Sequence, residues 1–270
     1  MFCGLLITST RILCEMEARI RPGFFTADVV RRVKTSLGTT VLDNLLEGGA
    51  EAGLTHLFYG DRCLHDDFLR CVVTVQMSEE RGGTGAPVII IDSANMVRIE
   101  QLTEISYELE LDPEDVMDRI YISRAFNSSQ TYDLVMNQLD NFFKRIPART
   151  LMVTGLPNLY IEEGLNSEGL QQMSHMASRL MTFTLKRDLF TFISAPASQR
   201  SKNSPAGGRS LASSCQVHVY IERTKSYVRY TLTKHPQFPV RSASRAIPRI
   251  GSGTLPLSYF LGGNGDEPTT

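Results

Sequence analysis

The sequence predicts an α/β protein, a doubly wound, mostly parallel sheet that ends in a C-terminal antiparallel hairpin. Three observations carry that expectation. Continuous apolar runs such as VIIID (88–92), TLMVTGL (150–156) and LFTFISAP (189–196) have the pattern of strands buried on both faces of a parallel sheet. Amphipathic stretches of helical period separate them, in the strand–helix rhythm of a doubly wound core. Near the end the pattern changes to two alternating runs, CQVHVYIER and SYVRYTLTK, with Thr224 and Lys225 at the turn between them.

The elements follow in order. FFTADVVRRVKT (24–35) puts Val29, Val30 and Val33 on one stripe among Arg31, Arg32 and Lys34, the spacing of a short amphipathic helix that starts near Thr26 or Asp28. LDNLLEGG (42–49) reads as a second helix, stopped by its glycines. THLFYG (55–60) is a β-rich run ending at Gly60, and LHDDFLRCVVTVQMSEE (64–80) is a helix. After the loop GGTGAP and the strand VIIID come a helix, IEQLTEISYEL, and a strand, RIYISRAF (119–126). SSQTYDLVMNQLDNFFKRI (128–146) is a helix with Ser128 or Ser129 as its cap, and residues 166–186 form a long helix. SQRSKNSPAGGRSLASS is too long for an ordinary connector. From Pro236 onward Pro, Gly and Ser dominate, and a poorly ordered tail is expected.

Composition narrows the function classes. A chain with 42% hydrophobic and 21% charged residues buries one large core. No apolar run reaches the ~18–20 residues that span a bilayer. MFCGLLIT is short, is followed by Arg11 and Glu15 and lacks a charged leader, so a cytoplasmic protein is expected, with Met16 as an alternative start. The cysteines at 3, 14, 63, 71 and 215 form no CxxC, which suits a reducing compartment. Cys63, His65 and Cys71 match no zinc spacing, and neither a metal nor another cofactor is expected. Net charge is −1, yet Arg200 to Arg249 holds ten Lys and Arg against the single acid Glu222. Such a block suits a polyanion or an acidic protein surface as partner, or else a solvated loop and tail.

Over residues 22–245 the order of these pieces resembles the RecA-type ATPase core, in particular the RadA branch of archaeal and eukaryotic recombinases. GFFTADVVRRVKT resembles the family's linker, TTVLDNLLEGGAEAGLTHLFYGD its approach to the phosphate loop, and IDSANMVRIEQL the strand and turn that hold its catalytic glutamate. DPEDVMDRIYISRAFNSSQ is the most specific segment, and PAGGRSLASSCQVHVYIER resembles the end of the second DNA-binding loop. The resemblance implies a RecA-like core over 36–245, preceded by an N-terminal extension (1–22) and a linker (23–35), with a flexible tail over 246–270. It leaves no counterpart for the family's N-terminal helical domain within 1–22.

The departures concern nucleotide chemistry. A phosphate loop reads G-x-x-x-x-G-K-[ST], its backbone N–H groups and Lys on the phosphates and its hydroxyl on Mg²⁺. The matching positions run from Gly60 to Asp67, with His65 for the second glycine, Asp66 for the lysine and Asp67 for the hydroxyl. At ~4 Å and an effective dielectric near 20, exchanging Lys for Asp turns about −4 into about +4 kcal/mol per unit of phosphate charge. The expected catalytic glutamate is Ala94, the expected acid near Mg²⁺ is Gly155, and a polar pair is replaced by Ala195-Pro196. No nucleotide cofactor and no ATPase activity are expected. Asp61, Asp66 and Asp67 with His65 are read as a solvated acidic turn in preference to a divalent-cation site.

Two other features are implied by the resemblance. Phe24 and Ala27 have the spacing of the family's FxxA segment, which docks on a RadA-type recombinase or on another copy. Arg200, Lys202 and Arg209 sit among flexible Ser and Gly in the second-loop region, suited to weak, sequence-independent contact with single-stranded DNA. The first-loop region, NLYIEEGLNSEG (158–169), is acidic where the family has arginines. The expectation is a non-catalytic paralogue that modulates filament assembly; the alternative is a pseudo-ATPase scaffold in a signalling or other protein complex with no DNA role.

Overall fold

The computed structural model describes residues 32–199 and 204–247. The compact unit that carries all the elements below begins at Lys34. Its first feature corrects the sequence reading: Lys34–Thr35 are not the end of a helix but a short strand, β1, paired antiparallel with β2 (Ala50–Glu51). Gly49 explains the pairing. It holds φ +113, and a Cβ there would collide with the Thr35 carbonyl, so glycine lets the two backbones meet. Arg32 and Val33 are not helical either, and residues 24–31 of the expected 24–35 helix lie outside the described residues.

Helix α1 (Thr40–Leu45) closes before the two glycines, as its sequence predicts. Strand β3 (Thr55–Gly60) follows, then α2 (Leu64–Thr74), β4 (Val88–Asp92), α3 (Ile99–Glu108), α4 (Pro113–Met117) and β5 (Ile120–Arg124). Helix α2 is shorter than the predicted 64–80. The Val75 carbonyl accepts from the Thr84 N–H (2.7 Å) and Oγ1 (2.8 Å), and a 3₁₀ turn takes over at Glu79–Arg81. Next come α5 (Ser128–Asp133), a π-turn over Leu134–Gln138 and α6 (Leu139–Arg145), in place of one regular helix. The cap of α5 is Asn127, whose side chain accepts from the Gln130 N–H at 2.8 Å. Ser128 instead turns its N–H to Glu163 Oε1 (2.8 Å) and its hydroxyl to the same carboxylate.

The remaining elements are β6 (Thr150–Thr154), α7 (Asn158–Glu162), α8 (Ser167–Arg187), β7 (Phe190–Pro196), α9 (Gly208–Ser214), β8 (Val217–Arg223), β9 (Tyr227–Lys234) and β10 (Arg241–Ala246). One eight-stranded sheet has the order β10-β9-β8-β3-β7-β6-β4-β5. All pairs from β8 to β5 are parallel, whereas β8-β9 and β9-β10 are antiparallel. The predicted doubly wound sheet and its hairpin are both present. Strand β10 is the unforeseen part: it lies in the stretch past Pro236 whose Pro, Gly and Ser predict poor order, though all but its last residue falls within the core boundary that the resemblance implies. Ala243 and Ile247 pack on the core and stabilise the third antiparallel strand.

Alternation inside the buried strands splits the core in two. Phe58, Ile90 and Met152 face α1, α2, α3 and α4, while Leu57, Ile89, Ile91 and Val153 face α5, α6, α8 and α9. Every residue of β4 and β6 is buried, as their unbroken apolar runs require; β5, at the sheet edge, leaves Tyr121 and Ile122 exposed. Among the described residues no helix is long and apolar enough to cross a membrane.

Candidate functional site

The turn from β3 into α2 stands at the carboxyl end of the first parallel strand, where open α/β sheets place their ligands. Gly60 holds φ +129, and a Cβ on it would run into the Ile221 carbonyl of β8. The Asp61 N–H donates to that same carbonyl at 2.9 Å. Asp61 Oδ1 then accepts from the Cys63 N–H at 2.9 Å, which shapes the loop from within.

His65 lines a cavity of about 200 Å³ with Gly60, Arg62, Asn158, Glu162 and Ser194. Burial lowers its pKa, against the opposing pull of Asp66. Asp66 is exposed and accepts from Gln101 Nε2 at 2.9 Å. Asp61 and Asp66 are exposed, as a solvated acidic turn requires, but Asp67 departs from that reading. It is 5% exposed, and its Oδ2 accepts from the Tyr230 hydroxyl at 2.8 Å. Its Oδ1 accepts from Thr39 Oγ1 and from Arg245 Nη2, both at 3.3 Å. Burial raises its pKa, and the hydrogen bond from Tyr230 and the charge of Arg245 oppose that rise. Period 3.6 turns Asp66 to water and Asp67 into the protein.

The structure brings Ala94 and Gly155 together: a Cβ on Gly155 would collide with the Ala94 methyl group and Asn158 Nδ2. The Gly155 N–H donates to Ser194 Oγ at 2.7 Å, and Pro196 pairs in register with Gly60. Thus 60–67, 94, 155 and 195–196, scattered in sequence, form one locus at the sheet's carboxyl edge. Asp92 was not singled out from sequence. It is wholly buried and accepts from Thr154 Oγ1 (2.6 Å) and the N–H groups of Met96 (3.1 Å) and Val97 (3.3 Å), with Arg124 Nε at 3.5 Å. It holds the turn that carries Ala94. The signal was a carboxylate ending an unbroken apolar strand.

Beyond Pro196 a groove of about 1300 Å³ opens, lined by Ile161, Leu165 and Leu170 and by residues 196–199 and 204–209. Arg209 lines it, exposed in the first turn of α9. Arg200 and Lys202 lie outside the described residues, as do Phe24 and Ala27. Across the groove, Lys234 Nζ donates to the carbonyls of Cys215 (2.6 Å) and Ala212 (3.1 Å), closing the end of α9. Among the described residues no three His, Cys, Asp or Glu side chains are placed to hold a metal ion.

His218, on the groove wall, makes a stability prediction. Burial, with the Lys234 ammonium beside it, lowers its pKa from 6.5 to about 4. The folded protein therefore resists a proton that the unfolded chain accepts. Stability is full above pH 6.5 and falls as pH drops towards 4, by about 2–3 kcal/mol over the window. Urea midpoints at pH 7 and pH 4.5 should show that loss, and His218→Gln should shrink it.

The turn from β3 into α2 at the head of a doubly wound sheet, with an antiparallel extension past β8, defines a RecA-like core. Comparison with known families matches residues 29–253 to the Rad51 family. The chain belongs to the Rad51 family and is a recombinase-related protein.

Proposed function

We propose that this chain is a non-catalytic paralogue that modulates the assembly of RadA-type recombinase filaments on single-stranded DNA in homologous recombination and repair. The observation that carries the reading is Asp67. At the position where a phosphate loop offers a hydroxyl to Mg²⁺, the chain has a carboxylate turned into the protein and engaged by Tyr230, Thr39 and Arg245. His65, Asp66, Ala94 and Gly155 at the neighbouring positions support the same conclusion. A subunit of this kind joins a filament end through Phe24 and Ala27 but cannot couple nucleotide to the next subunit.

Calorimetry with Mg²⁺ and ATP tests the loop, and no heat of binding is expected. Micromolar affinity would falsify this account. For DNA, weak, salt-sensitive and sequence-independent binding to single strands is expected. Replacing Arg200, Lys202 and Arg209 by Ala should flatten the log–log salt slope by roughly 0.7 per lost phosphate contact. Unchanged binding by that variant at low salt would remove the second-loop region from the interface.

The second reading, a scaffold with no DNA role, draws on the acidic 158–169 segment, where Glu163 is anchored to Ser128. Absence of any electrophoretic shift with single strands would favour it.

A further inference from the structure

Three segments far apart in the chain meet at the Asp67 carboxylate on the first turn of α2. Thr39 comes from the residue before α1, Tyr230 from β9 and Arg245 from β10. The guanidinium also donates to the Tyr230 oxygen through Nε (3.3 Å) and Nη2 (3.2 Å), so cation, phenol and carboxylate form a closed triangle. A carboxylate this deeply buried needs a cation to stay ionised, and the chain supplies its own. The other end of the same strand is fastened in a similar way. Arg241 Nε donates to the Leu45 carbonyl (2.9 Å) and its Nη1 to Glu47 Oε1 (2.7 Å), both at the end of α1. Strand β10 is thereby pinned at its start to α1 and at its finish to α2.

We propose that Arg245 is an internal counter-cation that makes β10 a permanent strap over the phosphate-loop helix. It holds loop, helix and the C-terminal sheet edge in one conformation through the chain's own side chains. The device rests on the reading that the loop takes no nucleotide. It explains why an acid is tolerated at position 67: the side chain binds inward to the strap.

Hydrogen exchange on the full chain tests it with Arg245→Met, and with Arg241→Met as the comparison. Arg245→Met should speed exchange at residues 243–246 and 64–67 together, roughly tenfold or more, the loss expected for a charged hydrogen bond. Arg241→Met should loosen 241–242 and the end of α1 and leave 64–67 protected. If Arg245→Met loosens β10 alone, or loosens the whole chain uniformly, the strap is overturned. Should Arg245→Met fail to fold, Arg245→Lys serves. It keeps the cation and loses the fork, and 64–67 should exchange faster than in the unaltered chain but remain protected; unchanged exchange there would overturn the proposal. Protection of 60–67 by Mg²⁺ and ATP in the unaltered chain would instead refute the nucleotide-free loop, an outcome the variant comparison separates from the strap.

Discussion

Gly60→Ala is expected to cost about 4 kcal/mol of folding stability, the sum of ~1–3 for a non-glycine residue at a forbidden backbone angle and ~1–3 for overpacking. Gly60 holds φ +129 with the Ile221 carbonyl of β8 against its Cα. The loss is a large part of the ~5–15 kcal/mol that holds a domain folded. Gly85 is the control. It has φ +65 with open space around the position, so Gly85→Ala should cost about 1 kcal/mol. Urea denaturation of both variants decides the matter. Equal losses would mean that the close approach of β8 is not what demands glycine. On this account the first residue of the phosphate-loop pattern persists for the sheet, and its retention says nothing about phosphate.

Asp67→Ala should cost about 2–4 kcal/mol, while Asp66→Ala should stay within about 0.5. Removing one partner of a buried ion pair leaves the other uncompensated, at ~3–5 kcal/mol when both are buried. Here the figure is discounted, because the Arg245 side chain is 43% exposed and can turn to water. Tyr230 cannot: its ring is fully buried, and its hydroxyl would lose Asp67 as an acceptor. Asp66 faces solvent with Gln101 as partner, so its loss exposes nothing new. Thermal or urea unfolding of the two variants side by side provides the check, and similar losses would contradict the difference in burial.

These two neighbours show how far the sequence could be read. The helical period of α2 was legible, and with it the fact that adjacent positions point apart. Which of the two aspartates would be buried was not, because the partners of Asp67 lie 163 and 178 residues away at Tyr230 and Arg245. Ionisable residues give no local sign of the cation that will neutralise them. The cap of α5 was misplaced by one or two residues for a similar reason. Asn127, Ser128 and Ser129 are all capping residues by type, and the choice fell to Asn127 because Glu163 occupies Ser128.

The sequence by itself determined strands β3 to β9, the longer helices between them, their alternation, and the place of the phosphate-loop turn at the end of β3; the short helices α4, α7 and α9 fall in stretches to which it assigns no helix. Hydrophobic period is a local property, and an unbroken run such as VIIID can be satisfied only between two layers. The tertiary structure alone decided what the loop's side chains do and where the sheet ends. RSASRA carries almost no apolar signal, yet it becomes β10 because β9 offers an open edge and Arg241 and Arg245 find acceptors on α1 and α2. An edge strand is specified by its neighbours' unpaired backbone groups and by contacts made at its two ends, and neither is written in its own residues.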